Sequence, residues 1–130
     1  MTTDTAPTLY PNLRYRDAAA ALKWLAAAFG FEEQLVVPGP DNTIAHAELR
    51  FGTSILMLGS VRDDVFGAQG VMAPYVYVRD IDAHCARARA AGATIVMEPR
   101  DTDYGSRDYS ARDPEGYVWS FGTYRPSPSR

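Results

Sequence analysis

At 130 residues and 46% hydrophobic, the chain is long enough for one domain with a real core. A net charge of −3 argues against nucleic-acid or anionic-membrane partners, which want a basic face. No apolar run reaches membrane-spanning length, and Met1 to Pro7 lacks the features of a secretory signal, so a cytoplasmic protein is expected. Cys85, the single cysteine, excludes an intrachain disulfide and a cysteine-based metal site.

Residues 1–7 read as a disordered tail. Leu9, Pro11, Leu13 and Tyr15 alternate with Tyr10, Asn12 and Arg14, a strand with one apolar and one polar face. Asp17 is an N-cap for a helix to Phe29, closed by Gly30, with Leu22, Leu25 and Phe29 on the buried stripe. Phe31 to Val37 reads as a strand and Pro38 to Asn42 as a turn. Thr43 to Phe51 follows, with Ala45, Ala47, Leu49 and Phe51 opposite Ile44, His46, Glu48 and Arg50. Ser54 to Leu58 completes a β-α-β-β-β unit. A loop over residues 61–72 leads to a second pass. Ala73 to Val78 is a strand, and Asp80 or Asp82 caps a helix to Ala91 closed by Gly92. Strands are expected over Thr94 to Glu98, Arg107 to Arg112 and Tyr117 to Phe121. Tyr104-Gly-Ser106 turns the chain, and Asp113-Pro-Glu-Gly116 has the chemistry of a type I turn. Residues 125–130 form a polar tail.

The two passes are a repeat, 8–60 and 73–124 of a single domain over 8–124. Tyr15-Arg16-Asp17 answers Val78-Arg79-Asp80. Arg50-Phe51-Gly52 with the strand after it answers Asp113 to Gly116 with Tyr117 to Phe121. Each pass gives an α+β module, a helix on one side of a four-stranded mixed sheet, and two such sheets pair to enclose a cavity.

With these signatures the chain resembles the vicinal oxygen chelate superfamily, which contains glyoxalase I, bleomycin-resistance proteins and extradiol dioxygenases. The residues carrying the resemblance are Tyr10 to Ala18, Ala28 to Glu32, His46 to Leu49, Tyr75 to Asp80, Ala90 to Ala93 and Asp113 to Gly116. The resemblance implies two tandem βαβββ modules. It also implies that metal-using members place His, Glu or Gln ligands on the first and fourth strands of each module. Those positions here hold Tyr10, Met57, Ala73 and Ser120. A one-residue slip brings in Pro11, Leu56 or Leu58, Pro74, and Trp119 or Phe121. None is a good ligand for a hard or borderline cation, so no metal cofactor is expected, against an alternative divalent Zn, Ni, Mn or Fe.

Strand alternation places Tyr10, Asn12, Arg14, His46, Glu48, Met57, Tyr75, Tyr77, Tyr109 and Ser120 on the cavity side. Eight tyrosines suit a wall that is apolar in body and polar at the tip. His46 and Glu48 share a face and read as an acid–base pair or as ligands of a displaced metal site. The competing reading is a half-solvated polar face or a structural pair with Arg14 or Arg50. His84 reads as surface, Cys85 as a packed thiol on the Ile81, Cys85, Ala88 stripe, and Trp24 as core or interface. Tyr104, Gly105 and Arg107 read as either a ligand contact or a turn, and Arg62, Asp63 and Asp64 as solvated.

Two functions are open. The first is a metal-free, homodimeric small-molecule binding protein of the bleomycin-resistance type, sequestering an aromatic or glycopeptide-like ligand. The second is a glyoxalase-like lyase or isomerase, or a dioxygenase-related enzyme, using His46 and Glu48 with or without a metal.

Overall fold

Two aspartates start the two helices by the same chemistry. Asp17 Oδ1 accepts from the Ala20 N–H at 3.0 Å, and Asp80 Oδ1 accepts from the Ala83 N–H at 3.1 Å. Each satisfies a donor that the first helical turn leaves without an intrahelical partner. Asp82 does not cap; it lies in the first turn of the second helix. The helices are α1, Ala18–Phe29, and α2, Ile81–Ala90. Gly30 closes α1 at a φ of 85°, a left-handed conformation that suits a residue without Cβ.

The structure is a computed structural model that describes residues 10–63 and 74–125. The tail over 1–7, most of the loop over 61–72 with Asp64, Ala73, and the last five residues lie outside the described residues. The chain divides into two compact units, Met1–Gly70 and Val71–Arg130.

In the first unit, β1 (Asn12–Tyr15), β2 (Glu32–Pro38), β3 (Ile44–Phe51) and β4 (Ser54–Ser60) form a sheet in the order β1-β4-β3-β2. In the second, β5 (Tyr75–Tyr77), β6 (Thr94–Asp101), β7 (Arg107–Arg112) and β8 (Val118–Gly122) form β5-β8-β7-β6. In both sheets the first and last strands run parallel and the other pairs antiparallel. The expected repeat of a mixed-sheet βαβββ module is therefore what the chain forms.

Each sheet buries one face under its helix. Leu13, Tyr15, Ala47, Leu49, Leu56 and Leu58 are buried with Leu22, Leu25 and Phe29 of α1. Ala111, Trp119 and Phe121 are buried with Ile81, Cys85 and Ala88 of α2. At about 1.5–3 kcal/mol for each large apolar side chain, these two faces supply most of the driving force for folding.

Two positions differ from the sequence reading. Tyr109 was expected on the open face of the second sheet, but it is 0% exposed and stacks on Phe121 at 5.0 Å between centroids. It pairs across the ladder with Phe121, and directly paired residues point to one side, so Tyr109 lies under α2. His84, expected at the surface, is half-buried. Its Nδ1 meets the Tyr109 hydroxyl at 2.6 Å, and its ring lies 4.4 Å from Phe121. Burial pushes the Tyr109 hydroxyl pKa well above its ordinary value. Burial also raises the Cys85 thiol, the opposite of what a nucleophile needs.

The final turn is more elaborate than a reverse turn. Asp113 is 4% exposed. Its Oδ1 accepts from the Glu115 and Tyr117 N–H groups at 3.0 and 3.1 Å. Its Oδ2 accepts from Trp119 Nε1 at 3.1 Å. One carboxylate thus ties the turn to the largest core side chain.

Candidate functional site

The helix-free face of the first sheet is set by its register. Met57 pairs with Asn12 on one side and with Glu48 on the other, so the three share a face. Arg14 is buried, Tyr10 is exposed, and Met57 and Glu48 are half-buried.

His46 and Glu48, two apart on β3, meet side by side with Nε2 to Oε2 at 3.0 Å. Gln34 Nε2 donates to the other carboxylate oxygen at 3.4 Å. Gln34 reaches it because β2 slips register against β3 between Glu33 and Leu35, an irregularity that re-aims a side chain. The partner is therefore Gln34; Arg50 bonds Glu32 across the strands instead. With the Nε2 proton directed at the carboxylate, His46 keeps Nδ1 as an acceptor.

The bond to His46 holds the Glu48 carboxyl below its ordinary pKa, against a smaller opposing desolvation, and Gln34 adds to the lowering. A lowered native-state pKa means this contact supports folding above the ordinary carboxylate pKa and is lost as pH falls through the lowered one. His46→Ala is expected to move Glu48 back up toward its ordinary titration. Carbon-13 shifts of the Glu48 carboxyl followed against pH check this, and an unchanged curve would show that His46 does not hold it.

The helix-free face of the second sheet is aromatic and hydroxylic. Tyr75 pairs with Ser120 and Tyr77 with Gly122 along β5 and β8. Ser120 shares a 2.8 Å bond with Ser110. The Arg125 guanidinium lies 4.5 Å above the Tyr77 ring. Toward the far end, Asp108 accepts from Ser106 Oγ at 2.5 Å and from the Tyr104 hydroxyl at 2.6 Å. Tyr75 donates to the Tyr124 carbonyl at 2.6 Å. Burial raises the Tyr75 hydroxyl pKa, and the bond to Asp108 raises that of Tyr104.

Asp108, Ser106 and Tyr124 were not singled out from sequence. The signal that would have found Asp108 is the hairpin register, which puts it opposite Gly122. Arg107 proves structural, bonding Asp82 at 2.9 Å and Asp101 at 3.2 Å.

Residues 8–121 match the family described as the Glyoxalase/Bleomycin resistance protein/Dioxygenase superfamily. The chain belongs to that superfamily. An uncharacterized protein of Mycobacterium bovis, Mb0911c, is 35% identical over 132 residues, spanning 94% of this chain and 86% of its own. The structure of TioX from Micromonospora sp. ML1 is 33% identical with a TM-score of 0.82, covering 92% of this chain and all (100%) of TioX. Lactoylglutathione lyase from Agrobacterium tumefaciens shares the fold at a TM-score of 0.69 and 24% identity, covering 89% of this chain and 93% of the lyase.

Metal-using members of the superfamily raise the question of a divalent ion. Tyr10, Met57 and Ser120 offer a phenol, a thioether and a hydroxyl, which do not fit a hard or borderline cation. Among the described residues no three His, Cys, Asp or Glu side chains stand together as a metal site. Ala73, the fourth position, lies outside the described residues.

Proposed function

We propose that this superfamily member is a small-molecule binding protein of the bleomycin-resistance type, holding an aromatic or glycopeptide-like ligand without a metal. The observation that carries the reading is the make-up of the helix-free sheet faces. Tyr75 and Tyr77 offer ring surface and hydroxyls, with Ser120 beside them. Asn12, Arg14, His46, Glu48 and Met57 offer hydrogen bonds around a polarizable thioether, and Tyr10 adds a further exposed ring. Each of these faces by itself suits a flat, partly polar organic molecule held by stacking and a few directed bonds. Its biological use would be sequestration of a toxic compound in the cytoplasm, by a homodimer that light scattering would detect.

Calorimetric titration with a panel of aromatic antibiotics, on protein purified without chelator, is the test. Saturable heat from at least one compound is expected, with no stoichiometric zinc, nickel, manganese or iron by metal analysis. Stoichiometric metal would overturn the metal-free reading, and absence of heat across the panel would overturn the ligand class.

The 3.0 Å His46–Glu48 contact favours one second reading, a cofactor-free acid–base catalyst of the glyoxalase-like type. There Glu48 would orient His46, which would take up a proton at Nδ1. Turnover of a candidate substrate by metal-free protein, abolished in His46→Ala, would select this reading over pure binding.

A further inference from the structure

Asp108 is the most unusual group on the second sheet. It is only 9% exposed, its two contacts are neutral hydroxyls, and it has no ion-pair partner among the described residues. A carboxylate offers roughly four acceptor positions, and two are filled here, one on each oxygen. Burying a charge without a countercharge is unfavourable, so something must justify its place.

Its surroundings suggest what. Tyr104 and Tyr124 are 62% and 53% exposed and meet edge to face, with centroids 6.3 Å apart. Tyr75, 42% exposed, brings its hydroxyl in from the other side, where Gly122 leaves room. Ser106 fixes the corner: its Oγ donates to Asp108 and accepts from the Tyr124 N–H at 3.0 Å. The result is three tyrosines around a carboxylate held by two neutral hydroxyls, with the tyrosine rings exposed.

Ring faces attract cations through their quadrupole, most strongly where water is thinned out. A neighbouring ring of the same face, Tyr77, already carries the Arg125 guanidinium. We infer that the Tyr75, Tyr104, Tyr124 and Asp108 cluster is a subsite for an organic cation, an alkylammonium group on the ligand. The rings would take its methyl or methylene shell, and Asp108 would supply the countercharge. This deepens the binding reading above and rests on it for the rest of the ligand.

The test uses choline and its uncharged isostere 3,3-dimethyl-1-butanol, titrated into isotopically labelled full-length protein and followed by NMR. Choline is expected to shift the Tyr75, Tyr104 and Tyr124 signals saturably, and the isostere to leave them in place. Asp108→Asn should weaken choline binding by about tenfold or more, the loss of a partly desolvated charge contact. Tyr124→Leu, which removes an exposed ring and keeps the backbone bonds, should weaken it severalfold and guards against a folding defect in the first variant.

Equal responses to choline and the isostere, or undiminished binding in both variants, would overturn the subsite. A neutral aromatic probe, 2-naphthol, separates the two ideas. Binding of 2-naphthol with no choline response sinks the cation subsite alone. Choline binding with no 2-naphthol response sinks the aromatic-ligand reading and leaves the subsite standing.

Discussion

Asp113→Ala is expected to lower the free energy of unfolding by about 3–4 kcal/mol and the melting midpoint by roughly 10–15 °C. The buried carboxylate accepts three hydrogen bonds, from Glu115 N, Tyr117 N and Trp119 Nε1. Alanine leaves all three donors without their acceptor. The indole N–H fares worst, because Trp119 is 1% exposed and water reaches it least. A buried donor left without a partner costs about 1–3 kcal/mol, whereas the two backbone donors at the turn can rehydrate in part. Asp113→Asn should fall between wild type and alanine, since its carbonyl oxygen can still serve the backbone donors while its amide opposes the indole N–H. In a Trp119→Phe background the asparagine change should therefore hurt less. Urea denaturation followed by circular dichroism measures wild type, the two Asp113 variants, Trp119→Phe and the double variant. A loss below about 1 kcal/mol for Asp113→Ala, the size of an ordinary substitution, would show that the turn does not depend on the carboxylate.

That turn also shows how much the sequence could tell. Its Asp-Pro-Glu-Gly chemistry announced a hairpin, and Arg112 does pair with Val118 across it. Counting outward from that pair brings Tyr109 opposite Phe121 and Asp108 opposite Gly122. The phase of β7 was nonetheless misread, because both of its faces carry polar residues. Arg107, Tyr109 and Ala111 alternate with Asp108, Ser110 and Arg112, and hydrophobicity alone does not choose between them. Once Tyr109 is turned under α2, His84 gains its partner, so one error in phase produced both misplacements. In the first sheet, Leu13, Tyr15, Ala47 and Leu49 contrast strongly with Asn12, Arg14, His46 and Glu48, and there the faces were legible. Strand ends were less so. β6 continues through Pro99 to Asp101 because it is the sheet's edge, where a residue without an N–H is tolerated, and its register shifts between Met97 and Arg100.

The candidate residues of the two units divide along the same line. His46 and Glu48 sit two apart on one strand, and that spacing alone puts them together. The Asp108 cluster draws on β5, the turn before β7, β7 itself and the segment after β8. No local pattern joins Tyr75 to Tyr124, 49 positions apart in sequence. Only the parallel pairing of β5 with β8 does so, and that pairing is a property of the whole module.

Gly122 is a position where that cluster can be broken by adding a single methyl. A Cβ there would stand 2.6 Å from the Tyr75 hydroxyl and 3.0 Å from the Asp108 carboxyl carbon, and nearer still to Asp108 Oδ1. The strand backbone itself would welcome the change, since replacing a strand glycine by alanine ordinarily stabilises by roughly 0.5–1 kcal/mol. The sign of the effect is therefore diagnostic. Gly122→Ala is expected to destabilise by about 2 kcal/mol, as Asp108 and Tyr75 swing away and give up bonds to Ser106 and to the Tyr124 carbonyl. The same variant should lose the choline response. In an Asp108→Ala background the methyl meets one obstacle fewer, so its penalty should shrink by about 1 kcal/mol, the coupling expected of residues in contact. A stabilising Gly122→Ala, or strict additivity with Asp108→Ala, would mean that the glycine is not what lets the tyrosine and the carboxylate meet.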